Sequence, residues 1–185
     1  MRTSYLIAAL GIALPLVTAA AIRSGPPGST EVAALDDATI VAIFDAANTA
    51  DIETGSLAAE RGAAKEVRTF GAMLARDHQQ VRQQGRDLAA KLHVTPTPPA
   101  DDPGAKAHAA ALAELRSLKG AAFDHAFLEH EYTFHHDVID AVQKTLLPAI
   151  QNAELKAFVV KVAPAFQAHM EMAQQIEKQI ASNTN

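Results

Sequence analysis

Residues 123–142 have the sequence FDHAFLEHEYTFHHDVIDAV, and in this stretch the chain differs from a generic alanine-rich helix. When it is placed on a helix, titratable and apolar side chains fall on the same face. The polar members of that face are Asp124, Glu131 and His135, and the apolar members are Phe127, Val138 and Val142. Because charged groups are rarely buried without partners, this face predicts a polar cluster in the protein interior.

The composition favours helices over strands. Of the 185 residues, 49% are hydrophobic, with seven Phe, two Tyr and no Trp, and alanine supplies much of the apolar content. Alanine is the best helix former, whereas aromatic and β-branched residues are typical of strands. The length suits one domain with a core of its own. We therefore expect a single all-α domain.

Charge, cysteine content and missing motifs exclude several classes of function. The net charge is −5 and no block of basic residues occurs, so the chain has no electrostatic footprint for nucleic acid or anionic lipid. The absence of cysteine excludes disulfides, thiolate metal ligands and cysteine nucleophiles. Gly-x-Ser-x-Gly, His-Glu-x-x-His and glycine-rich phosphate loops are also missing, so the sequence does not predict a hydrolase.

The N-terminus has the pattern of a secretory signal peptide. Arg2 precedes an apolar run, and small residues occupy positions 18–21. The run is shorter than the ~20 residues that span a bilayer, and Pro15 lies inside it, which favours cleavage over anchoring. We predict a signal peptide over 1–21 cleaved near Ala21, a flexible leader over 22–36, and a periplasmic or secreted protein without an integral membrane span in the mature chain.

Hydrophobic periodicity predicts four long helices. Apolar residues recur three and four positions apart over 37–61, 67–93, 121–147 and 152–180. Asp36 or Asp37 suits the first N-cap, Gly62 ends that helix, Pro148 should end the third helix, and Pro164 should bend the fourth. A proline-rich linker and a short extra helix, 105–118, separate the second helix from the third. The economical arrangement is a four-helix bundle over residues 37–181.

Polar residues near the middle of each long helix face the predicted core. Helical geometry places His78 and His169 within apolar faces and Glu131 and His135 on the third helix at the same level. The predicted cluster consists of Glu53, His78, Glu131, His135 and His169. Asp77 and Asp124 are expected in supporting positions, with Asp77 accepting a hydrogen bond from His78.

Two interpretations of this cluster remain open at the level of sequence. Imidazole and carboxylate on facing helices are how bundles bind divalent transition metals such as iron, manganese, zinc or copper. Alternatively, the same residues satisfy one another as a hydrogen-bonded network. Met170 and Met172 beside His169 also suit copper(I), although methionine is usually core filler. Both interpretations require the residues to converge.

Two further observations limit the chemistry. Di-iron carboxylate bundles supply Glu-x-x-His from each of two helices, and that motif occurs nowhere in this chain. A ferroxidase or oxygenase of the usual kind is therefore disfavoured. His125 and His136 project away from the predicted core and His130 lies at its edge, so all three are expected on a solvated face.

Taken together, these residues resemble a family of exported bacterial proteins known as domain of unknown function 4142. The similarity covers roughly residues 38–180 and rests on four segments. They are 47–58 (ANTADIETGSLA), 67–78 (VRTFGAMLARDH), 115–124 (LRSLKGAAFD), and His135 with Pro164, His169 and Ala173. Leu74 stands where the family more often has methionine, and Asp51 where glutamate is more usual. The resemblance implies a ferritin-like four-helix fold with no established activity.

The sequence therefore predicts an exported ferritin-like bundle with a candidate metal site and without an assigned reaction. A function in envelope stress fits this description, and non-enzymatic activity is favoured. The alternatives are a metal-dependent redox enzyme and a structural or interaction module with a hydrogen-bonded polar core. A homo-oligomer or an envelope protein partner is compatible with each of them.

Overall fold

The computed structural model describes residues 35–182, and within this range the chain forms helices and no strand. The helices are α1 (Asp37–Arg61), α2 (Lys65–Lys91), α3 (Pro103–Ser117), α4 (Ala121–Ala141), a single turn α5 (Leu147–Ala149) and α6 (Ala153–Ser182). The predicted all-α class is confirmed. The predicted signal peptide, and the predicted leader up to residue 34, lie outside the described residues.

Short turns create two antiparallel helix pairs. The α1–α2 pair is joined at residues 62–64, and α4 is paired with α6 through the turn at residues 150–152. The two pairs contact each other through α2 with α6 and through α1 with α4, and the short α3 lies against α1 and α4. The Arg61 guanidinium donates to the carbonyls of Arg116 and Leu118, each at 3.0 Å, which ties the end of α3 to the end of α1.

Side-chain hydrogen bonds define the helix ends. Asp36 caps α1 as predicted, since its carboxylate accepts from the Thr39 N–H at 2.8 Å. The Asp124 carboxylate accepts from the N–H groups of Ala63 and Ala64 at 2.8 and 2.7 Å. The N–H groups at the start of a helix have no partner within the helix, and here Asp124 of α4 supplies one. Asp124 thus joins the α1–α2 turn to α4.

The third long helix differs from its prediction. It continues beyond α4 as a π-helical segment, Val142–Leu146, in which the Leu147 N–H bonds to the Val142 carbonyl five residues earlier. Pro148 therefore lies inside the last turn, α5, and does not end the helix before it. Pro164 lies inside α6 as predicted.

Two apolar clusters fill the interior, and each long helix contributes to both. The first cluster contains Ala58, Val67, Phe70, Leu74, Leu115, Phe123, Phe127, Leu128, Ala173 and Ile176. The second contains Ile40, Val41, Ala89, Leu146, Ile150, Leu155 and Val159. Along α1, α2, α4 with its continuation, and α6, the residues between these clusters include buried polar side chains. The polar level is thus enclosed between two apolar ones.

None of the helices in the described part of the chain combines the length and apolar character needed to cross a membrane.

The α1–α2 pair approaches closely at two facing glycines. A Cβ added to Gly55 would lie 2.7 Å from the Gly71 carbonyl oxygen, and one added to Gly71 would lie 2.5 Å from the Gly55 carbonyl oxygen. Such contacts are with backbone and cannot be relieved by rotating a side chain. The glycines thus set the spacing between α1 and α2 near the polar level.

Replacing Gly71 by alanine should destabilise the protein. The new methyl group would force the two backbones apart, and overpacking of this kind costs about 1–3 kcal/mol. Gly85→Ala on the same helix is the control, because its nearest neighbour is the Phe44 side chain at 3.2 Å. Urea denaturation should show a clearly larger loss for Gly71→Ala, and equal stability of the two variants would contradict the close backbone contact.

Candidate metal centre

Four helices bring polar side chains together between the two apolar clusters. The cluster, called here the core polar cluster, contains Asp51, His78, Glu131, His135 and His169, none more than 6% exposed. Asn48 and Thr54, also on α1 and fully buried, border it. The three histidine rings lie 5.1–5.5 Å apart between centroids. Each ring has one nitrogen turned toward the others and one turned toward a supporting group.

His78 is oriented by Asn48. The Asn48 amide nitrogen donates to the Phe44 carbonyl at 2.8 Å, which leaves its oxygen to face His78 Nδ1 at 3.0 Å. Because that oxygen only accepts, the tautomer consistent with this contact carries its hydrogen on Nδ1. The other nitrogen, Nε2, then presents a lone pair.

His135 is oriented by the backbone of its own helix. Its Nδ1 lies 2.9 Å from the Glu131 carbonyl oxygen, which can only accept, so the hydrogen is on Nδ1. The Nε2 atom is buried, has no hydrogen-bond partner, and lies 3.9 Å from Asp51 Oδ1. A second lone pair therefore faces the interior of the cluster.

His169 completes the set from α6. Its Nε2 lies 3.4 Å from Asp77 Oδ2, a contact that favours a hydrogen on Nε2 and a lone pair on Nδ1. This Nδ1 is 3.2 Å from His78 Nε2. With these tautomers, two nitrogens that both lack a hydrogen face each other inside the protein. Two nitrogens on one tetrahedral zinc ion, each bound at about 2.0–2.1 Å, would lie about 3.4 Å apart.

Burial keeps the three imidazoles neutral. Desolvation, followed by the charges of His135 and His169, lowers the pKa of His78 to about 2. Desolvation followed by the charge of His169 lowers the pKa of His135 to about 3, and desolvation also lowers the pKa of His169. Neutral imidazole is the form that binds metal ions.

Two carboxyl groups lie on the other side of His135. Glu131 Oε1 accepts from the Thr54 hydroxyl at 2.7 Å, whereas Glu131 Oε2 and both oxygens of Asp51 are buried without a hydrogen bond. Asp51 Oδ2 is 3.3 Å from His78 Nδ1, but the hydrogen of that nitrogen is directed to Asn48. Desolvation raises the pKa of Glu131 to about 7, and desolvation together with Glu131 raises the pKa of Asp51. The two carboxyls are thus adjacent and costly to ionise together.

The distances suit a metal ion. One ring nitrogen from each of His78, His135 and His169 lies within 4.8 Å of the other two, and the same holds for one ligand atom from each of Asp51, Glu131 and His135. Metal-binding histidines typically donate their outer N–H to a carbonyl or carboxylate, which fixes the ring and its tautomer. Asn48, the Glu131 carbonyl and Asp77 occupy those outer positions here.

The structure brings together most of the residues proposed from sequence. His78, Glu131, His135 and His169 converge, but Glu53 requires a correction. Its side chain is 48% exposed and contacts His108 Nε2 at 2.9 Å, outside the core polar cluster. The face of α1 that packs inward follows Asn48, Asp51, Gly55 and Ala58, so the position expected for Glu53 is occupied by Asp51.

Two supporting residues also differ from expectation. Asp77 lies beside His169, although it was expected to orient His78. Asp124 caps the start of α2 one level away from the histidines and has no contact with them among its hydrogen bonds. Asp77 thus keeps its supporting position, with His169 and not His78 as its neighbour, whereas Asp124 supports the α1–α2 turn and not the histidines.

Sequence reasoning placed one cluster residue on α1 but chose Glu53 and missed the buried polar residues of that helix. Asn48, Asp51 and Thr54 are spaced by three residues and are followed on the same side by Gly55 and Ala58. Small residues such as Gly55 and Ala58 indicate the side of a helix on which another helix packs closely. Polar residues on that same side, such as Asp51, are therefore expected to face the core. That signal was present, but the alanine-rich helix offers apolar residues on several faces.

The other histidines and methionines of the described residues lie outside the core polar cluster. His125 and His136 are exposed as predicted, each beside a carboxylate. His130 is partly buried and stacks on Phe134, and desolvation followed by the charge of His108 lowers its pKa to about 4. Met172 packs against the first apolar cluster, as core filler does.

Replacing Glu131 by glutamine should alter the pH dependence of stability. The folded protein keeps a proton on Glu131 up to about pH 7, whereas the ordinary pKa is 4.5. A raised pKa stabilises the folded state at low pH, and this contribution disappears as the pH rises through the folded value. Relative to Glu131→Gln, the metal-free wild type should lose stability between about pH 4.5 and 7, by up to about 1.4 kcal/mol per pH unit.

Urea denaturation over a pH series measures this difference. Glu60→Gln, at an exposed position on α1, is the matched control and should follow the wild type at all pH values. A difference between wild type and Glu131→Gln that does not change with pH would contradict the raised pKa.

Comparison with protein families gives a match over most of the chain. A family model described as "Domain of unknown function (DUF4142)" matches residues 23–176, which confirms the resemblance predicted from the sequence. No curated protein and no solved structure matches the chain.

Proposed function

The chain belongs to the family described as Domain of unknown function (DUF4142), and we propose its function from the core polar cluster. The protein is an exported, ferritin-like four-helix bundle that binds a divalent transition-metal ion. His78, His135 and His169 are the principal ligands, and Asp51 and Glu131 supply further oxygen ligands or charge compensation. The proposal is for binding and includes no reaction.

One observation carries this proposal. One ring nitrogen of each of the three histidines lies within the same small region. The contacts of the outer nitrogens favour a lone pair on each inner nitrogen, and the inner nitrogens of His78 and His169 are 3.2 Å apart. Two buried acceptors in contact repel each other and forgo the hydrogen bonds that water would give them. A cation between them converts this repulsion into attraction. The same cation would offer a partner to the unbonded oxygens of Asp51 and Glu131.

Charge compensation favours a divalent ion. No lysine or arginine is among the buried residues of the described part of the chain, so no basic side chain balances the carboxylates of the cluster. Three neutral imidazoles leave a divalent cation with its full charge, which one or two ionised carboxylates would neutralise. Imidazole with carboxylate suits zinc, manganese, iron, cobalt, nickel and copper(II), while the packing of Met172 gives copper(I) no particular support.

The competing function is a structural module with a hydrogen-bonded core. In that case His169 would carry its hydrogen on Nδ1 and donate to His78 Nε2. Its Nε2 lone pair would then face the Asp77 carboxylate, and His135 Nε2 would remain without a partner, while a proton shared between Asp51 and Glu131 would satisfy only part of the carboxyl pair. Because buried polar groups are nearly always satisfied, the network explains fewer of the contacts than a bound metal ion does.

The topology supports the ferritin-like part of the proposal. Two antiparallel pairs, α1–α2 and α4–α6, are separated by one long connection that contains α3. Ferritin-like bundles combine one long crossover with ligands directed inward from facing helices. The absence of Glu-x-x-His distinguishes this chain from the di-iron members of that class.

Metal binding should raise the thermal stability of the metal-free protein. A ligand present at about 100 times its Kd stabilises the folded state by about 2.7 kcal/mol, which corresponds to a Tm increase of about 5–10 °C for a chain of this size. The Tm would be measured with Zn²⁺, Mn²⁺, Fe²⁺, Co²⁺, Ni²⁺ and Cu²⁺ added singly. His135→Gln and His169→Gln should abolish most of the increase, since each removes one imidazole ligand.

His136→Gln is the control, because His136 is exposed on the same helix as His135 and lies next to it in sequence. It should retain the full increase. If none of the ions changes the Tm of the wild type, or if the increase persists in both cluster variants, the hydrogen-bonded network is the correct description.

Export is supported by the sequence pattern of residues 1–21. The intact mass of the same protein, isolated from the cell envelope fraction of the cells that express it, tests this part. A chain that begins near Ile22 supports cleavage after Ala21. A full-length chain that begins at Met1 would contradict it.

A further inference from the structure

An apolar pocket of about 370 Å³ lies between α1, α4 with its π-helical continuation, and α6. Its walls include Phe44, Ala47, Val138, Leu146, Ala163 and Phe166. The volume is within the range of about 300–1,000 Å³ that is typical of pockets for small molecules. The pocket is open to solvent on one side, so it is a concave surface site and not an interior void.

The lining of the pocket specifies the polarity of an occupant. No charged side chain belongs to it, and its only polar side chains are those of Gln143 and Gln167. Both glutamines are exposed, which places them toward the solvent side of the pocket. Such a lining suits a hydrocarbon body that ends in a neutral polar group, because a charged group would find no partner of opposite sign.

Two irregularities of the backbone lie in the walls of this pocket. The π-helical segment Val142–Leu146 contributes three of its residues, and Pro164 of α6 also contributes. A π-turn widens a helix locally and is frequent at functional sites, while proline bends a helix by removing one hydrogen bond. Both irregularities carry a stability cost, and both occur where the pocket lies. This coincidence indicates that the space is a built feature.

The surface around the pocket does not suit a protein partner. Among the large hydrophobic residues of the described chain, only Tyr132 and Val160 are exposed, at 38% and 54%, and only Val160 belongs to the pocket. A stable protein interface buries about 800 Å² on each side. A concave apolar site whose exposed apolar residues are Val160 and Pro164 alone is therefore better matched to a small molecule than to a second copy of the chain.

We infer that this pocket binds a neutral single-chain amphiphile, with its hydrocarbon chain against Phe166 and Ala163 and its uncharged hydroxyl or carbonyl group near Gln143 and Gln167. The inference is independent of metal binding. Phe166 nevertheless links the two sites, since its ring lies 5.1 Å from the His78 ring and 5.8 Å from the His135 ring between centroids. An occupant would thus be separated from the histidines by one aromatic ring.

Decanol is a suitable probe, and isothermal titration calorimetry with the purified full chain would measure its binding. We expect saturable binding of one decanol per chain. Ala163→Phe and Ala47→Leu fill the pocket from α6 and from α1, and each should weaken binding. Exclusion of two methylene groups corresponds to about a fifteenfold loss of affinity. Ala168→Phe is the control, because Ala168 is exposed on α6 and outside the pocket lining, and it should bind like the wild type.

Two further results complete the test. Decanoate, which differs from decanol by its charged head group, should bind more weakly near neutral pH. Tighter binding of decanoate would overturn the assignment of a neutral head group. The inference as a whole is overturned if the wild type shows no saturable decanol binding, or if a folded Ala163→Phe or Ala47→Leu variant binds decanol as the wild type does.

Discussion

Three imidazole rings converge in the interior of this protein, and the contacts of their outer nitrogens favour tautomers in which the inner nitrogens carry no hydrogen. Asn48 holds His78, the Glu131 carbonyl holds His135, and Asp77 faces His169. The rest of the structure keeps this arrangement in place. The two apolar clusters fix the axial level of the four long helices, and the contact between Gly55 and Gly71 fixes the spacing of α1 and α2. A shift of about one residue in any helix would turn its polar group away from the core.

The core polar cluster is not explained by a contribution to the free energy of unfolding. Buried polar groups without hydrogen bonds cost free energy, and polar core sites refilled with apolar residues are often as stable or more stable. Here Asp51 accepts no hydrogen bond, and His135 Nε2 has no partner. Polar residues that weaken a core and converge on one point are better explained by a ligand than by folding. The pocket beside Phe166 extends the same reasoning to an apolar occupant.

The fold was largely predictable because its signals are local. Helix periodicity, the Asp36 cap, Gly62 and the proline-rich linker placed the helices with correct class and nearly correct bounds. The π-helical segment was not predictable, since Val142–Leu146 continues the helical pattern and its extra residue is accommodated only by tertiary packing. Pro148 then fits into the last turn, Leu147–Ala149, which follows directly on the π-helical hydrogen bond from the Leu147 N–H to the Val142 carbonyl.

The site was predictable where one helix face was clearly apolar. His78, His135 and His169 interrupt well-defined faces, so their inward orientation followed from spacing. On α1, by contrast, alanine occurs all round the helix, and the choice between Glu53 and Asp51 depended on contacts with α2 and α4. Which residue stands opposite which, as for Asp77 and Asp124, is a property of helix pairing that spacing along one helix does not contain.

The most direct measurement is a long-range ¹H–¹⁵N NMR spectrum of the histidine rings in the metal-free protein near neutral pH. It reports which nitrogen of each ring carries the hydrogen. We expect hydrogen on Nδ1 of His78 and His135 and on Nε2 of His169, so that all three inner nitrogens are bare. A spectrum in which His169 carries its hydrogen on Nδ1 would contradict the proposed metal site, because the inner nitrogens of His78 and His169 would then already be joined by a hydrogen bond.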